Sequence, residues 1–287
     1  MTTLAERLGF GADERIAIVH ADDLGMCRAA NEGGFEALTN GPATCGSVMV
    51  PCPWFRDAAE RAQRDPALDL GVHLTLNAEW SLYRWGPVAG RDAVPSLLDE
   101  QGYLPRTSAE VAKKARPEHV ETELRAQIEM ALDAGFDVTL LDSHMGTAFS
   151  PPFLPLSPEL AREFRVPVLA ARPDDATLEA AGLTSAKAML HGMAEGLEAH
   201  GFPILQGLDA DSLGFTEGHG AAHNARRLDG LPVGVSYVIC HPARDGEELR
   251  SITPDSAHQR DFERGYYGGD AGRKAIDERG IATVGMR

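Results

Sequence analysis

The chain has little positive charge for its size: 27 Lys and Arg face 43 Asp and Glu, leaving a formal net charge of −16 over 287 residues. That balance argues against a surface that tracks nucleic-acid phosphates and against attraction to anionic membranes, so neither partner is expected. Cysteine is scarce too. Cys27, Cys45, Cys52 and Cys240 form no CxxC pair, which removes both a disulfide framework and a zinc ribbon. No apolar run is long enough to span a bilayer, and the opening MTTLAERLGFGADER lacks a basic segment followed by an apolar one. A cytoplasmic protein is the expectation. Two nucleotide signatures are missing as well, GxGxxG after the first apolar segment and GxxxxGKS/T anywhere.

What the sequence does contain is a series of short apolar segments: IAIVHA (16–21), GSVMVP (46–51), LGVHLTL (70–76), VTLLDS (138–143), VPVLAA (166–171), FPILQGL (202–208) and VSYVIC (235–240). They read as buried strands. Helical patterns lie between several of them. In EHVETELRAQIEMALDAGF (118–136), Val120, Leu124, Ile128 and Leu132 form one apolar stripe and Gly135 supplies the stop. This alternation predicts a mainly parallel sheet. About seven strands in a chain of this length favour an α/β fold, a distorted or incomplete (β/α) TIM-like barrel, over an open sheet. No repeat or linker marks a second unit, so residues 1–287 are read as a single domain. Residues 77–117 fit no simple unit and read as a long loop insertion over the barrel mouth. Its Trp80, Tyr83 and Trp85 either stack on sugar faces or pin the loop to its own scaffold.

The first segment ends in two adjacent carboxylates, Asp22 and Asp23, where charge beside a hydrophobic run is costly unless a cation, a proton or water offsets it. Other strand ends carry ligand-type residues as well. His73 lies inside LGVHLTL, Asp142 and His144 close VTLLDSH, and His241 follows VSYVIC. Parallel barrel strands converge at their C-terminal ends, which brings these positions to one face. A lone histidine in an apolar strand is more often bonded to a carbonyl. Three at separate strand ends beside an Asp pair point to a metal. One carboxylate and two imidazoles suit a Zn²⁺ ion and also admit Fe²⁺, Co²⁺, Ni²⁺ or Mn²⁺. If Asp23 is a ligand, Asp22 is free to take a proton from a water that the ion activates, and His241 to hand one to a leaving group.

The ordered set IVHADDLGM, GVHLTL, VPSLLDEQGYL, ELRAQIEMALDAG leading into LLDSH, and CHPA resembles the YdjC/ChbG family of carbohydrate deacetylases along nearly the whole chain. The resemblance implies a distorted (β/α) barrel and one divalent ion, zinc first with magnesium, cobalt, nickel or manganese as alternatives. Asp23, His73 and His144 would hold it, with Asp22 as general base and His241 as acid. The implied reaction hydrolyses the N-acetyl group of an amino sugar or acetylated oligosaccharide; this substrate comes from the resemblance alone. The chain departs from the family pattern where DSHxH is common, since it reads DSHMG with Gly146. Assignment to chitobiose therefore does not follow.

Other residues carry less. Asp142 is read as orienting an imidazole or capping its strand, and Arg172 as a substrate contact or a surface ion pair. His219 and His223 lie in GHGAAHN without an HExxH context and read as loop residues, as do His119, His191, His200 and His258; His20 reads as packing or a local hydrogen bond. Two rival functions remain, a metal-dependent sugar isomerase on the same barrel and an inactive sugar-binding barrel. A homodimer is compatible with the sequence, although no segment announces an interface.

Overall fold

Among the described residues, seven parallel strands are hydrogen-bonded in one curled sheet: β1 (Arg15–Leu24), β2 (Cys45–Val48), β3 (Leu70–Leu74), β4 (Val138–Ser143), β5 (Gly207–Asp209), β6 (Gly234–Cys240) and β7 (Ala282–Thr283). This is a computed structural model, and it describes residues 2–172 and 187–287. The strand order is β4-β3-β2-β1-β6-β5, with β7 on β1 at Ile16 and Ala17. Isolated parallel bridges join the two edges, Leu141 to Val168 and Ala171 to Leu205. The sheet thus curls into the distorted (β/α) barrel the sequence predicts.

The weak stave has a local cause. The sequence predicts a full strand over residues 166–171, but they make only these two bridges. Pro167 has no N–H to give a ladder; its carbonyl accepts from Leu141, and Leu169 N–H donates to Leu141. The expected strand at 202–208 is likewise confined to Gly207–Asp209.

Alternation along the strands sorts the core in two. Ile16 and Ile18 of β1 join Cys45, Leu140, Leu205, Val235 and Tyr237 in a cluster enclosed by the sheet. Ala17, Val19 and Ala21 join the cluster that contains the surrounding helices. The helix Pro117–Asp133 starts on Pro117 and buries Val120, Leu124 and Ile128 as expected. Leu132, the fourth member of the predicted stripe, is 42% exposed; Ala131 takes its place against the sheet. Gly135 follows with φ +82°, the left-handed stop. No helix among the described residues is long and apolar enough to cross a membrane.

Residues 77–117 are tied down at many points. They include a short 3₁₀ turn at Pro95–Leu97 and a capped helix at Ser108–Lys114. The buried Glu123 carboxylate accepts the N–H groups of Val88 and Ala89, each at 2.9 Å. The Tyr83 hydroxyl donates to the Met26 carbonyl at 2.6 Å.

Candidate metal centre and active site

The inward parity of β1 continues from Ile16 and Ile18 through His20 to Asp22. Strict alternation would turn Asp23 outward. The register between β1 and β2 shifts between Ala21 and Leu24, and Asp23 takes a left-handed φ of 64°, which a non-glycine residue adopts at a cost of order 1–3 kcal/mol. Both neighbouring carboxylates thereby face the same centre. The answer to the paired charges lies in this bulge.

Across the barrel, His73 on β3 and His144 just beyond β4 meet Asp23. Asp23 Oδ1 lies 3.6 Å from His73 Nε2 and 3.4 Å from His144 Nδ1, and all three side chains are buried. That oxygen has no hydrogen-bond partner. Its sister, Oδ2, accepts from Arg260 Nη1 at 2.8 Å. Burial alone would raise the Asp23 pKa, but Arg260 and the nearby histidines hold it well below the usual carboxylate range.

Each imidazole is aimed by a carboxylate on its far nitrogen. Asp142 Oδ1 accepts from His73 Nδ1 at 2.8 Å, and Glu79 Oε2 lies 3.0 Å from His144 Nε2. With the far nitrogens donating, the neutral rings would present the lone pairs of His73 Nε2 and His144 Nδ1 toward Asp23. Asp142 is itself held by Ser47 Oγ at 2.9 Å and by the Tyr237 hydroxyl at 3.3 Å.

This donor set fits a divalent cation. Bonds of about 2.0–2.2 Å in a tetrahedral arrangement separate donors by about 3.3–3.6 Å, and the two separations above match. The three donor atoms all lie within 4.8 Å of one another. Four carboxylates, Asp22, Asp23, Asp142 and Glu79, contact the histidines here, and Arg260 pairs with one of them, Asp23. Burial disfavours a charged His144, yet Glu79 and Asp23 outweigh it and carry its pKa up to about 10. A site that retains protons this firmly is one in which a cation can replace them.

His20, Asp22 and Asp142 form a second cluster with metal-ligand spacing. There both nitrogens of His20 already have partners within the protein, although Asp22 Oδ1, like Asp23 Oδ1, has no hydrogen-bond partner. His20 Nε2 sits 3.0 Å from Ser47 Oγ, 3.0 Å from Asp22 Oδ1 and 3.1 Å from Asp142 Oδ2, and its Nδ1 meets Cys45 Sγ at 3.1 Å. We read it as a hydrogen-bonded floor beneath the first cluster.

Asp22 Oδ2 stands between the two sides of the site, 3.9 Å from His73 Nε2 and 3.6 Å from His241 Nε2. The Asp22 side chain is 8% exposed and that of His241 is 19% exposed, so the solvent-facing edge lies at His241. Burial pulls the His241 pKa down to about 4 and Arg260 acts the same way, against Asp23 and Asp22.

The YdjC-like protein family model matches residues 16–278, which includes every residue of this cluster. The chain belongs to that family. A relative from Thermus thermophilus, named carbohydrate deacetylase, is 36% identical over 259 residues, covering 90% of this chain and 89% of its own. A relative from Yersinia enterocolitica, named chitooligosaccharide deacetylase, is 31% identical over 159 residues, covering 54% of this chain and 59% of its own. Among solved structures, an Enterococcus faecalis protein named for cellobiose-phosphate cleavage superposes with a TM-score of 0.75 at 25% identity. It covers 95% of this chain and 98% of its own.

The other sequence candidates are spread more widely. Trp80, Tyr83 and Trp85 pack on one another with centroids 5.7–6.4 Å apart, and Trp85 is buried in the core at 4% exposure while Trp80 is half-buried. Arg172 is exposed and pairs with Glu198 at 2.9 Å. Several histidines read as loop residues lie on helices. His119 falls in Pro117–Asp133, His191 in Lys187–Ala199 and His258 in Ala257–Tyr267; His223 is buried in Gly220–Asp229, with its Nε2 against the Asp211 carbonyl. A glycine-rich opening masked that last helix. Sequence reasoning missed Glu79, Ser47, Arg260, Ser212 and Glu263. Glu79 alone had a signal, as an acid three residues past the end of LGVHLTL.

Proposed function

We propose that the protein is a metal-dependent hydrolase that removes the N-acetyl group from an amino sugar or an acetylated oligosaccharide. The observation that carries this reading is the unpartnered Asp23 Oδ1 converging with two carboxylate-backed imidazoles, with Asp22 beside them. The names of the YdjC-like relatives support the carbohydrate class. Asp23, His73 and His144 would hold one divalent ion, and zinc suits a set of one oxygen and two nitrogens. When bound, the ion supplies Lewis-acid polarisation of the acetamide carbonyl and acidifies water at its open positions.

The chain's own residues handle the protons. Asp22 accepts a proton from the attacking water as the new carbon–oxygen bond forms. His241 is neutral at rest, because its pKa lies near 4. The proton it gives to the amine nitrogen must therefore arrive during the reaction, and Asp22 Oδ2, 3.6 Å from Nε2, is the adjacent source. The carbon–nitrogen bond then breaks, yielding acetate and the free amine. Trp80, on the half-buried edge of the loop, is the aromatic best suited to meet a sugar ring, with Trp85 behind it.

The test is metal analysis of the purified protein followed by an acetate assay on N-acetylglucosamine, its short oligomers and related acetylated sugars. Metal-dependent acetate release is expected. Ketose formation without acetate would move the protein to the isomerases. Sugar binding with no turnover in the metal-loaded protein would make it a binding barrel.

A further inference from the structure

The polar groups behind His241 form a chain that nothing in the reaction above uses. His241 Nδ1 lies 2.8 Å from Ser212 Oγ, and Ser212 Oγ donates to Glu263 Oε2 at 2.7 Å. The same Glu263 oxygen accepts the His241 backbone N–H at 2.7 Å. Ser212 and Glu263 are both fully buried. Glu263 Oε1 faces Arg227 Nη1 at 3.4 Å, and Arg227 is locked by Asp209 at 2.6 Å and by Asn224 Oδ1 at 2.8 Å. Tyr267 donates to the same Asn224 oxygen at 2.8 Å. The carboxylate is thus a fixed acceptor with its position set from behind.

A serine hydroxyl has one hydrogen. Committed to Glu263, it leaves Ser212 Oγ only as an acceptor toward His241, so the 2.8 Å contact requires the hydrogen on Nδ1. In a neutral ring Nε2 then carries the lone pair, and it points toward Asp22 Oδ2. We propose that Glu263, acting through Ser212, is the positioning residue that holds His241 in its Nδ1–H tautomer and so keeps Nε2 open to take and pass on a proton.

Without the carboxylate the Ser212 hydroxyl is free to turn and donate to Nδ1. The ring then carries its hydrogen on Nε2 and can accept no proton there. The truncation Glu263→Ala has this effect, because it removes the acceptor to which the Ser212 hydrogen is committed. The same helix, Ala257–Tyr267, carries Arg260 one turn earlier, which braces Asp23. Burial pushes the Glu263 carboxyl up to about 7, and Arg227, the His241 N–H, Ser212 and Arg260 draw it back. The measurement therefore belongs above that pH.

The catalytic consequence rests on the hydrolase reading, but the tautomer can be observed without any turnover. Long-range ¹H–¹⁵N NMR of the zinc-loaded full chain, with the His241 signals identified by their loss in His241→Ala, should show a protonated Nδ1 and a pyridine-type Nε2. Ser212→Ala and Glu263→Ala should move the ring toward the Nε2–H form, and Ser212→Thr should preserve the wild-type form. On an acetylated sugar that the wild type turns over, the first two should lose about 10–100-fold in kcat with KM and metal content held, the scale seen for groups that orient an active residue. Ser212→Thr should stay near wild type. A wild-type ring protonated on Nε2 would overturn the proposal whatever the activity. So would a Ser212→Ala protein whose kcat falls only in step with its metal content while its tautomer stays fixed. Correct tautomers in a protein that releases no acetate would instead sink the proposed function and leave the positioning role intact.

Discussion

The histidines of the site fall into two regions with opposite electrostatics. His144 is backed directly by the Glu79 carboxylate and faces Asp23, and its pKa rises to about 10 although burial opposes this. His241 is backed by a hydroxyl, and burial together with Arg260 takes it down to about 4. The rings sit on opposite sides of the same two aspartates. What separates them is the balance of burial and charge: Glu79 and Asp23 outweigh burial at His144, whereas at His241 burial and Arg260 outweigh Asp23 and Asp22, and the group behind the ring is a hydroxyl. On the proposed reading, one side holds a cation. On the same reading, the other stays neutral and moves a proton.

The largest break of this contrast is removal of a ligand-side ring. His73→Ala and His144→Ala should each lose the ion, with turnover falling to the level of the chelator-treated wild type; metal analysis beside the acetate assay reads both. Full metal content in either variant would remove that residue from the centre. Next comes Asp22→Asn, which leaves the three donors untouched. It should keep its metal and lose about 10²–10⁴-fold in kcat, the usual contribution of a positioned base. Near-normal turnover would strip Asp22 of that role.

A smaller change tests the backing groups. Glu79→Gln and Asp142→Asn should each weaken metal affinity by about 10–100-fold, measured by competition with a coloured chelator. Asp142→Asn should be the more damaging. It is buried and accepts from His73, Ser47 and Tyr237, whereas Glu79 lies nearer solvent with one such contact. Equal affinities in both variants and the wild type would mean that the carboxylates merely pack against the rings.

How much of this could be read in the sequence follows the same division. His73, His144 and His241 stood out because each interrupts or ends an apolar strand, and a parallel barrel gathers strand ends. Asp142 was legible for its place two residues before His144. Glu79 had only its place three residues past LGVHLTL, and Arg260, Ser212 and Glu263 had no signal, because acids, arginines and serines in loops and on helices are ordinary surface residues until tertiary packing buries them. The shared orientation of Asp22 and Asp23 depends on a register shift and a left-handed residue, and no periodicity encodes either. The barrel was legible from strand–helix alternation. Its weak stave at 166–171 was not, since an apolar run looks the same whether it forms a ladder or two bridges.

The smallest effect is expected at Gly146, where the resemblance to the family leads one to expect the second histidine of DSHxH. Gly146 has φ +65° and follows Met145 at φ +52°, so two consecutive left-handed residues carry the chain away from His144. A Cβ at 146 meets nothing within 4 Å. Gly146→His is therefore free of clashes and costs only the backbone preference, about 1–2 kcal/mol. Per kcal/mol, Tm should fall by roughly 2–4 °C. The added side chain starts from an exposed position, and the Asp23, His73 and His144 donors are complete without it. Metal affinity should stay within about threefold of wild type, a difference of less than about 1 kcal/mol, while kcat/KM across acetylated sugars of different length is free to shift. A large gain in metal affinity would mean that the ligand side is short of a donor, and the contrast between a complete cation site and a separate proton side would have to be redrawn.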